Sequence, residues 1–136
     1  MTVEIVGGVQ VSFPQDCGNA PRKMVLVGLY KAFAARDFEH LQANTAEDVR
    51  WDIVGKQVLE NQAASLELLE QYRAAEGGLK EIVILNAITH GNTCAVHGEI
   101  LCSSGARFGF CDVFVFRGFT KTAKVKEVTS YVIRTN

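Results

Sequence analysis

The spacing of apolar and polar residues changes near residue 78 of this 136-residue chain. Before that point apolar residues recur at helical intervals, and after it they follow the alternation that is typical of strands. The later pattern predicts four strands, at Ile82–His90, Thr93–Cys102, Arg107–Arg117 and Val125–Arg134. The short breaks between them favour an antiparallel meander, and helices followed by a sheet indicate the α+β class.

The first half of the chain is predicted to hold a hairpin, three helices and one short strand. Gly7 and Gly8 form the turn of a hairpin at residues 3–13, which is either an edge ribbon or an arm that reaches a partner subunit. Capping and breaking residues then predict these elements: helix 21–36 opened by Pro21, helix 38–44 capped by Asp37, strand 49–54, and helix 61–76 capped by Asn61. We expect one domain over residues 1–136, with residues 1–18 as the N-terminal hairpin or arm.

The strand at 107–117 places a carboxylate in a row of aromatic side chains. Alternate residues of a strand share a face, so Asp112 lies among Phe108, Phe110, Phe114 and Phe116. A buried charge is costly, so Asp112 should find a partner or take up a proton. Such a residue is either part of a functional site or a structural carboxyl that is hydrogen-bonded or reaches water.

Loop lengths give a hypothesis for the register of the meander. A two-residue turn at Gly91 and a four-residue loop at 103–106 would align Asn86, His97 and Asp112 across three strands. A histidine beside an aspartate is a simple acid/base pair, and the alternative is a purely structural bond between them. A bulge in either strand would break this alignment.

Composition excludes several classes of protein. The formal net charge of −1 and a pI near 6.3 give no basic surface for nucleic acid or an anionic membrane. No apolar run approaches the ~18 residues of a membrane span, and the N-terminus lacks the pattern of a signal peptide. The four cysteines form no CxxC pair, so we expect reduced thiols in a cytoplasmic protein. The histidines are widely separated, so we expect no metal site.

Two further stretches carry a family resemblance. Residues 30–41 (YKAFAARDFEHL) and 46–55 (AEDVRWDIVG), followed by CDVFVF at 111–116, occur in the order found in the nuclear transport factor 2-like superfamily. Within it the chain most resembles ketosteroid isomerases and SnoaL-type polyketide cyclases. The likeness covers about residues 21–134 and leaves out the N-terminal hairpin.

This resemblance implies a cone, in which a curved antiparallel sheet wraps around the N-terminal helices and encloses an apolar pocket. It also implies a homodimer formed through the sheet. Asp52 matches the general base of the steroid isomerases, and Asp112 matches their protonated aspartate or the acid/base of the SnoaL-type cyclases. The match is imperfect, because Leu29 falls on the position of the family's helix tyrosine, with Tyr30 one residue away.

We therefore expect a cofactor-free enzyme that binds a small apolar carbonyl compound and catalyses proton transfer of isomerase, cyclase or dehydratase type. The alternative is a non-catalytic ligand-binding or dimerisation module of the same fold. The expected catalytic residues are Asp112, Asp52 and His97. The expected substrate-binding residues are Tyr30, Trp51, Asn86, Phe110, Phe114 and Tyr131.

The expected homodimer rests also on a second strand face. Residues that alternate with the aromatic row and with the polar line should form an apolar outward face. These residues are Cys94, Val96, Ile100, Cys102, Cys111, Val113 and Val115.

Overall fold

A computed structural model describes residues 1–120 and 122–136, and at positions 18 and 19 it describes the backbone alone. These residues form three α-helices and eight strands. Their bounds are β1 (Thr2–Val6), β2 (Val9–Phe13), α1 (Pro21–Ala35), α2 (Phe38–Asn44), β3 (Thr45–Ile53), β4 (Gln57–Leu59), α3 (Gln62–Ala74), β5 (Leu79–His90), β6 (Thr93–Cys102), β7 (Arg107–Phe116) and β8 (Val125–Arg134).

The strands form one curved, unclosed sheet in the order β1-β2-β5-β6-β7-β8-β3-β4. The meander β5 to β8 is antiparallel throughout, which confirms the α+β cone expected from the sequence. Two pairings are parallel, β2 with β5 and β3 with β8, so the sheet as a whole is mixed. These two pairings join strands that are distant along the chain, and loop lengths therefore gave no signal for them.

The three helices begin where the sequence predicts them. Pro21 opens α1, and the Asp37 side chain accepts a hydrogen bond from the backbone N–H of His40 at the start of α2. The Asn61 side chain accepts one from Ala64 at the start of α3. These contacts satisfy backbone donors that a helix leaves free in its first turn. None of the described helices is long and apolar enough to cross a membrane.

The N-terminal hairpin is an edge ribbon of the sheet, which was one of the two alternatives for it. β2 pairs with β5 through Gln10, Val11 and Ser12. Val9, Val11 and Phe13 are buried in the core. The hairpin therefore extends the hydrophobic core of its own chain.

The bounds of several elements differ from the expectation. β3 begins at Thr45 rather than Val49, and β5 begins at Leu79 rather than Ile82. The short strand β4 pairs with the end of β3 and was not expected, because three residues are too few to show an alternating pattern. The connection between β7 and β8 includes position 121, which lies outside the described residues.

The inner face of the sheet carries the aromatic row and the residues paired with it. Phe110, Phe114 and Phe116 are buried there, as the alternation of β7 predicts. Cys94, Val96, Ile100 and Cys102 also lie on this inner face, so their assignment to an outward dimer surface was wrong. The β6–β7 register is the reason, because Val96 pairs with Asp112 and Cys94 with Phe114. Directly paired residues share a face.

Gly98 allows β5, β6 and the aromatic row to come together. A side chain there would overlap the carbonyl oxygen of Val83 and lie 3.0 Å from two ring carbons of Phe110. β5 also has a register shift between Ile84 and Asn86, and Ile84 pairs with Gly98. The bend of the sheet at this point therefore requires a residue without a side chain.

We predict that Gly98→Ala lowers the free energy of unfolding by about 1–3 kcal/mol, as overpacked core substitutions do. Urea denaturation followed by circular dichroism measures the change. Gly109→Ala on β7 is the matched control, because the nearest atom to its new methyl would be the Thr135 Cγ2, 3.7 Å away, which is an ordinary contact. Equal stability of the two variants would contradict this account of the bend.

Candidate functional site

An apolar cavity of about 410 Å³ lies between the inner face of the sheet and helices α1 and α3. Its size is in the lower part of the range for small-molecule sites, roughly 300–1,000 Å³. Among the described side chains that line it, Asp112 and Glu76 are the carboxylates and Lys56 is the cation. A wider hollow between Ala46 and Arg117 is more open to solvent, so the apolar cavity is the candidate site.

The carboxyl group of Asp112 faces this cavity and is held by hydroxyl groups from two elements. Its Oδ2 atom accepts a hydrogen bond from the Tyr30 Oη of α1 at 2.6 Å. Ser130 is the cross-strand partner of Asp112 on β8, and its hydroxyl is a second hydrogen-bond partner. Because paired residues share a face, Ser130 and Asp112 point into the cavity together.

Trp51 determines the direction of the Ser130 hydrogen bond. The Trp51 Nε1 donates to the Ser130 Oγ at 2.9 Å, and both residues are buried. An indole N–H is only a donor, so the serine oxygen is the acceptor in this pair. The single hydroxyl proton of Ser130 is therefore left to be donated to Asp112. The carboxyl group receives two O–H donors and offers its remaining lone pairs to the cavity.

Burial raises the pKa of Asp112, and the hydrogen bonds from Ser130 and Tyr30 oppose that rise. Burial also raises the pKa of Tyr30 well above its ordinary value, and the negative charge of Asp112 adds to this effect. The Tyr30 phenol thus stays protonated and donates a hydrogen bond to Asp112. The ring of Tyr30 lies 5.5 Å from that of Phe110 and 6.2 Å from that of Phe114, which fixes the position of its hydroxyl.

The structure brings five of the expected site residues together at this cavity. They come from helix α1 and from strands β3 and β7. They are Tyr30, Trp51, Phe110, Asp112 and Phe114.

The expected line of Asn86, His97 and Asp112 is wrong. Asn86 does pair with His97, but His97 pairs with Cys111 rather than with Asp112. Asn86 and His97 are both exposed on the outer face of the sheet, and neither lines the cavity. The His97–Asp112 acid/base pair therefore does not exist in this structure.

A shorter loop explains the error in register. Cys102 donates its backbone N–H to Ala106, so three residues connect β6 and β7 instead of four. Gly105, at φ +95°, occupies the left-handed position that such a three-residue loop requires. When the pairing register shifts by one residue, each side chain is paired with a residue that would otherwise lie on the opposite face of the sheet.

Asp52 and Tyr131 also lie away from the cavity. Asp52 alternates with the inward residues Trp51 and Ile53 on β3, and it pairs with Thr129 on the outer side. Tyr131 pairs with Cys111 and is 49% exposed on the outer face. Neither lines the cavity, which corrects the expectation that Asp52 and Asp112 converge on one pocket.

Ser130 and Lys56 also line the cavity and were not predicted from the sequence. Ser130 lies between Val128 and Val132, which both line the cavity, so it is a polar residue within an apolar strand face. The same pattern singled out Asp112, and it was overlooked on β8. Lys56 lies in the turn between β3 and β4, where side-chain direction has no periodic signal. No cluster of three or more metal-ligating side chains occurs in the described part of the chain.

Comparison with known proteins identifies the family. Residues 26–122 match the model of the SnoaL-like domain, which covers well over half of the chain. The chain belongs to the SnoaL-like family. It also shares the fold of the nuclear transport factor 2-like superfamily, as the resemblance implied. No curated protein matches the sequence.

Several solved structures share this fold at low sequence identity. An NTF2-like protein of unknown function from Cytophaga hutchinsonii is 22% identical, with coverage of 81% of this chain and 97% of that chain and a TM-score of 0.63. A proposed ketosteroid isomerase from Kribbella flavida is 15% identical, with 85% and 80% coverage and a TM-score of 0.69. An LEH-like epoxide hydrolase from M. tuberculosis is 14% identical, with 83% and 79% coverage and a TM-score of 0.66. At these identities the comparison shows the fold alone.

The raised pKa of Asp112 predicts a particular pH dependence of stability. Its ordinary pKa is 3.8, and the folded protein holds the proton more tightly. The contribution of Asp112 to the free energy of unfolding is therefore greatest below the unfolded-state pKa and falls as the pH rises through the folded pKa. We expect the stability difference between the wild type and Asp112→Asn to become less favourable to the wild type as the pH rises above about 4.

Urea denaturation at several pH values measures this difference. Tyr30→Phe removes one of the two donors to the ionised carboxyl group, which raises the pKa of Asp112 further. In this variant the contribution of Asp112 to the free energy of unfolding should therefore continue to fall up to a higher pH. A difference that moves in favour of the wild type with rising pH would mean that hydrogen bonding outweighs burial at Asp112.

Proposed function

We propose that this protein is a cofactor-free enzyme that binds a small apolar carbonyl compound and catalyses proton transfer through Asp112. The observation that carries the proposal is one carboxyl group with two hydroxyl donors, facing an apolar cavity of ligand size. A carboxylate whose pKa is raised by burial is a stronger base than one in water, which suits the removal of a proton next to a carbonyl group. The reaction is of isomerase, cyclase or dehydratase type.

In the proposed mechanism Asp112 begins as the carboxylate and removes a proton from the carbon next to the substrate carbonyl. Tyr30 and Ser130 hold the carboxylate in one orientation, and Trp51 holds Ser130. As Asp112 becomes neutral, the negative charge moves to the substrate oxygen. The Tyr30 hydroxyl, no longer bound to a charged partner, can then donate to that oxygen. Asp112 finally returns the proton to another atom of the substrate.

The position of Asp112 favours it over the other expected catalytic residues. Asp52 and His97 do not line the cavity, so a substrate inside it would not reach either of them. The geometry thus supports the single-aspartate chemistry implied by the SnoaL-type cyclases rather than the two-aspartate chemistry implied by the steroid isomerases.

Hydrogen exchange tests the proposed proton transfer without knowledge of the natural reaction. Bicyclic ketones such as 2-tetralone, incubated with the protein in D₂O, should lose their α-proton NMR signals faster than in buffer alone. Asp112→Asn should reduce the enzymatic exchange rate at least ~100-fold, the lower end of the usual contribution of general acid–base catalysis. Asp52→Asn is the matched control and should keep the rate within about twofold.

If ketones bind in the cavity but no protein-dependent exchange occurs, the alternative of a ligand-binding module stands instead. Full exchange in Asp112→Asn would show that Asp112 is not the base. Binding in both cases is measured by the shift of cavity-residue NMR signals.

The proposal includes a homodimer formed through the outer face of the sheet, as the resemblance implies, in the cytoplasm. On this face Val113 lies between Ala95 and Thr129, and the strand ends carry exposed Ile88 and Ile133, which are 60% and 70% accessible. Exposed apolar residues on one face are a typical feature of an interface. All four cysteines are free in the structure, which is compatible with a reducing compartment.

We predict that Val113→Glu, which places a charge in the centre of this face, shifts the protein from dimer to monomer. Sedimentation velocity over a range of protein concentrations measures the change. Val58→Glu is the control, because Val58 is an exposed apolar residue on the edge strand β4, away from the centre of the face. A wild-type protein that stays monomeric at every concentration would refute the dimer.

A further inference from the structure

Three segments contribute solvent-exposed side chains to the cavity lining and mark its mouth. The turn after β3 contributes Lys56, the end of α3 contributes Tyr72, and the end of β8 contributes Val132. These residues line the cavity and are also exposed to solvent. A ligand that enters the cavity must therefore pass them, and a ligand longer than the cavity would leave one end beside them.

Most polar groups of the cavity lining already have partners within the chain. Glu76 forms an ion pair with Arg134 at 3.3 Å and accepts a hydrogen bond from the Ser104 hydroxyl at 3.1 Å. The Gln62 amide donates to the Thr45 hydroxyl at 2.8 Å. These groups therefore have fewer unused hydrogen-bond donors and acceptors to offer a ligand.

Lys56 and Tyr72 differ from the other polar groups of the lining. In residues 1–120 and 122–136, neither the Lys56 Nζ nor the Tyr72 Oη has a hydrogen-bond or ion-pair partner. Burial raises the pKa of Tyr72, so its phenol stays neutral and can donate. The mouth therefore has two free donors, one of them a cation.

The backbone of Lys56 is anchored next to the catalytic candidate. Its N–H donates to the Ile53 carbonyl at 2.9 Å, and Val54 donates to the carbonyl of Ser130 at 3.0 Å. Ser130 in turn faces Asp112. Val132, at the mouth, is two residues further along β8, which corresponds to about 7 Å of strand. A ligand of one or two rings could thus contact Asp112 and the mouth at the same time.

We propose that the substrate carries an anionic group, such as a carboxylate, that binds Lys56 at the mouth while its apolar carbonyl end reaches Asp112. This inference rests on the proposed function for the role of Asp112. Tyr72 would donate a hydrogen bond to the same anionic group.

The two ends of the cavity then select one orientation of the substrate. An anionic group turned inward would meet the negative charge of Asp112 in apolar surroundings, where it would be repelled and poorly solvated. The same group turned outward meets an ammonium and stays near water. Repulsion at one end and attraction at the other act together to favour a single binding mode.

Two fluorescent probes of the same shape test this inference. 8-Anilinonaphthalene-1-sulfonate carries an anionic group, and N-phenyl-1-naphthylamine is the same apolar framework without it. The wild type should bind both, and each should displace the other, since they occupy one cavity. Lys56→Met should weaken binding of the sulfonate probe about fivefold and leave the neutral probe unchanged. Tyr72→Phe should weaken binding of the sulfonate probe about twofold.

Lys80→Met is the matched control, because Lys80 is an exposed lysine of β5 that does not line the cavity. It should leave both affinities unchanged, which separates binding at the mouth from general attraction to a positive surface. Equal loss in Lys56→Met and Lys80→Met, or no loss in Lys56→Met, would overturn the inference.

The result of the probe-binding experiment does not depend on whether the proposed catalysis is correct. Asp112→Asn should bind the sulfonate probe at least as tightly as the wild type does, because it keeps Lys56 and removes a negative charge from the cavity. Weaker binding of the sulfonate probe alone in Lys56→Met, together with full ketone exchange in Asp112→Asn, would sink the proposed function alone. Unchanged probe binding in Lys56→Met together with lost exchange in Asp112→Asn would sink the anionic-substrate inference alone.

Discussion

A carboxylate can remain charged in an apolar cavity only if hydrogen-bond donors reach it, and Asp112 draws its donors from separate parts of the chain. Tyr30 comes from α1, Ser130 comes from β8, and Trp51 from β3 directs the serine proton. An isolated charge in such surroundings would be unfavourable by several kcal/mol. The site therefore exists only when the helix and three neighbouring strands are in their native positions. Folding of the cone and assembly of the site are one event.

The hydrogen bond between Tyr30 and Asp112 also explains why the cavity between α1 and the sheet stays open. The sheet bends at Gly98, where a side chain would overlap the Val83 carbonyl, and α1 crosses the inner face so that Tyr30 packs on Phe110 and Phe114. A closer approach of α1 to the sheet would bury more apolar surface. It would also break the geometry of the Tyr30–Asp112 hydrogen bond. The polar contact thus sets the distance at which the apolar elements pack.

The features of the fold that depend on local sequence were predictable, and those that depend on a single loop residue were not. Caps at Asp37 and Asn61 and the alternation of β7 located the helices and the aromatic row correctly, because each signal lies within one element. The alignment of His97 with Asp112 failed, because it required the loop length between β6 and β7 to one residue. Gly105 was the signal for the shorter loop, since its position favours a left-handed backbone.

Assignment of site residues by family position met the same limit. An ungapped match favoured Leu29 over Tyr30, yet Tyr30 is the residue that donates to Asp112. On a helix a shift of one residue turns a side chain by about 100°, so an alignment error of this size changes which residue faces the cavity. The apolar face of α1 includes both residues, and both line the cavity. The two residues differ in that Tyr30 can supply the hydrogen-bond donor that the Asp112 carboxyl group needs, whereas Leu29 cannot.

The distribution of charge in the cavity limits the chemistry it can support. Lys56 lies at the mouth, and Tyr30 and Ser130, the neutral donors to Asp112, lie inside it. A negative charge that forms deep in the cavity therefore meets hydroxyl groups rather than a cation. Stabilisation of this kind is moderate, and it suits an intermediate whose charge is spread over an enolate better than a localised alkoxide. In the proposed reaction Asp112 gives up its own charge as the enolate forms, so the inner part of the cavity holds one negative charge before and after the step. Proton transfer within the cavity thus changes the location of the charge and leaves its total unchanged, so no further counterion is required there.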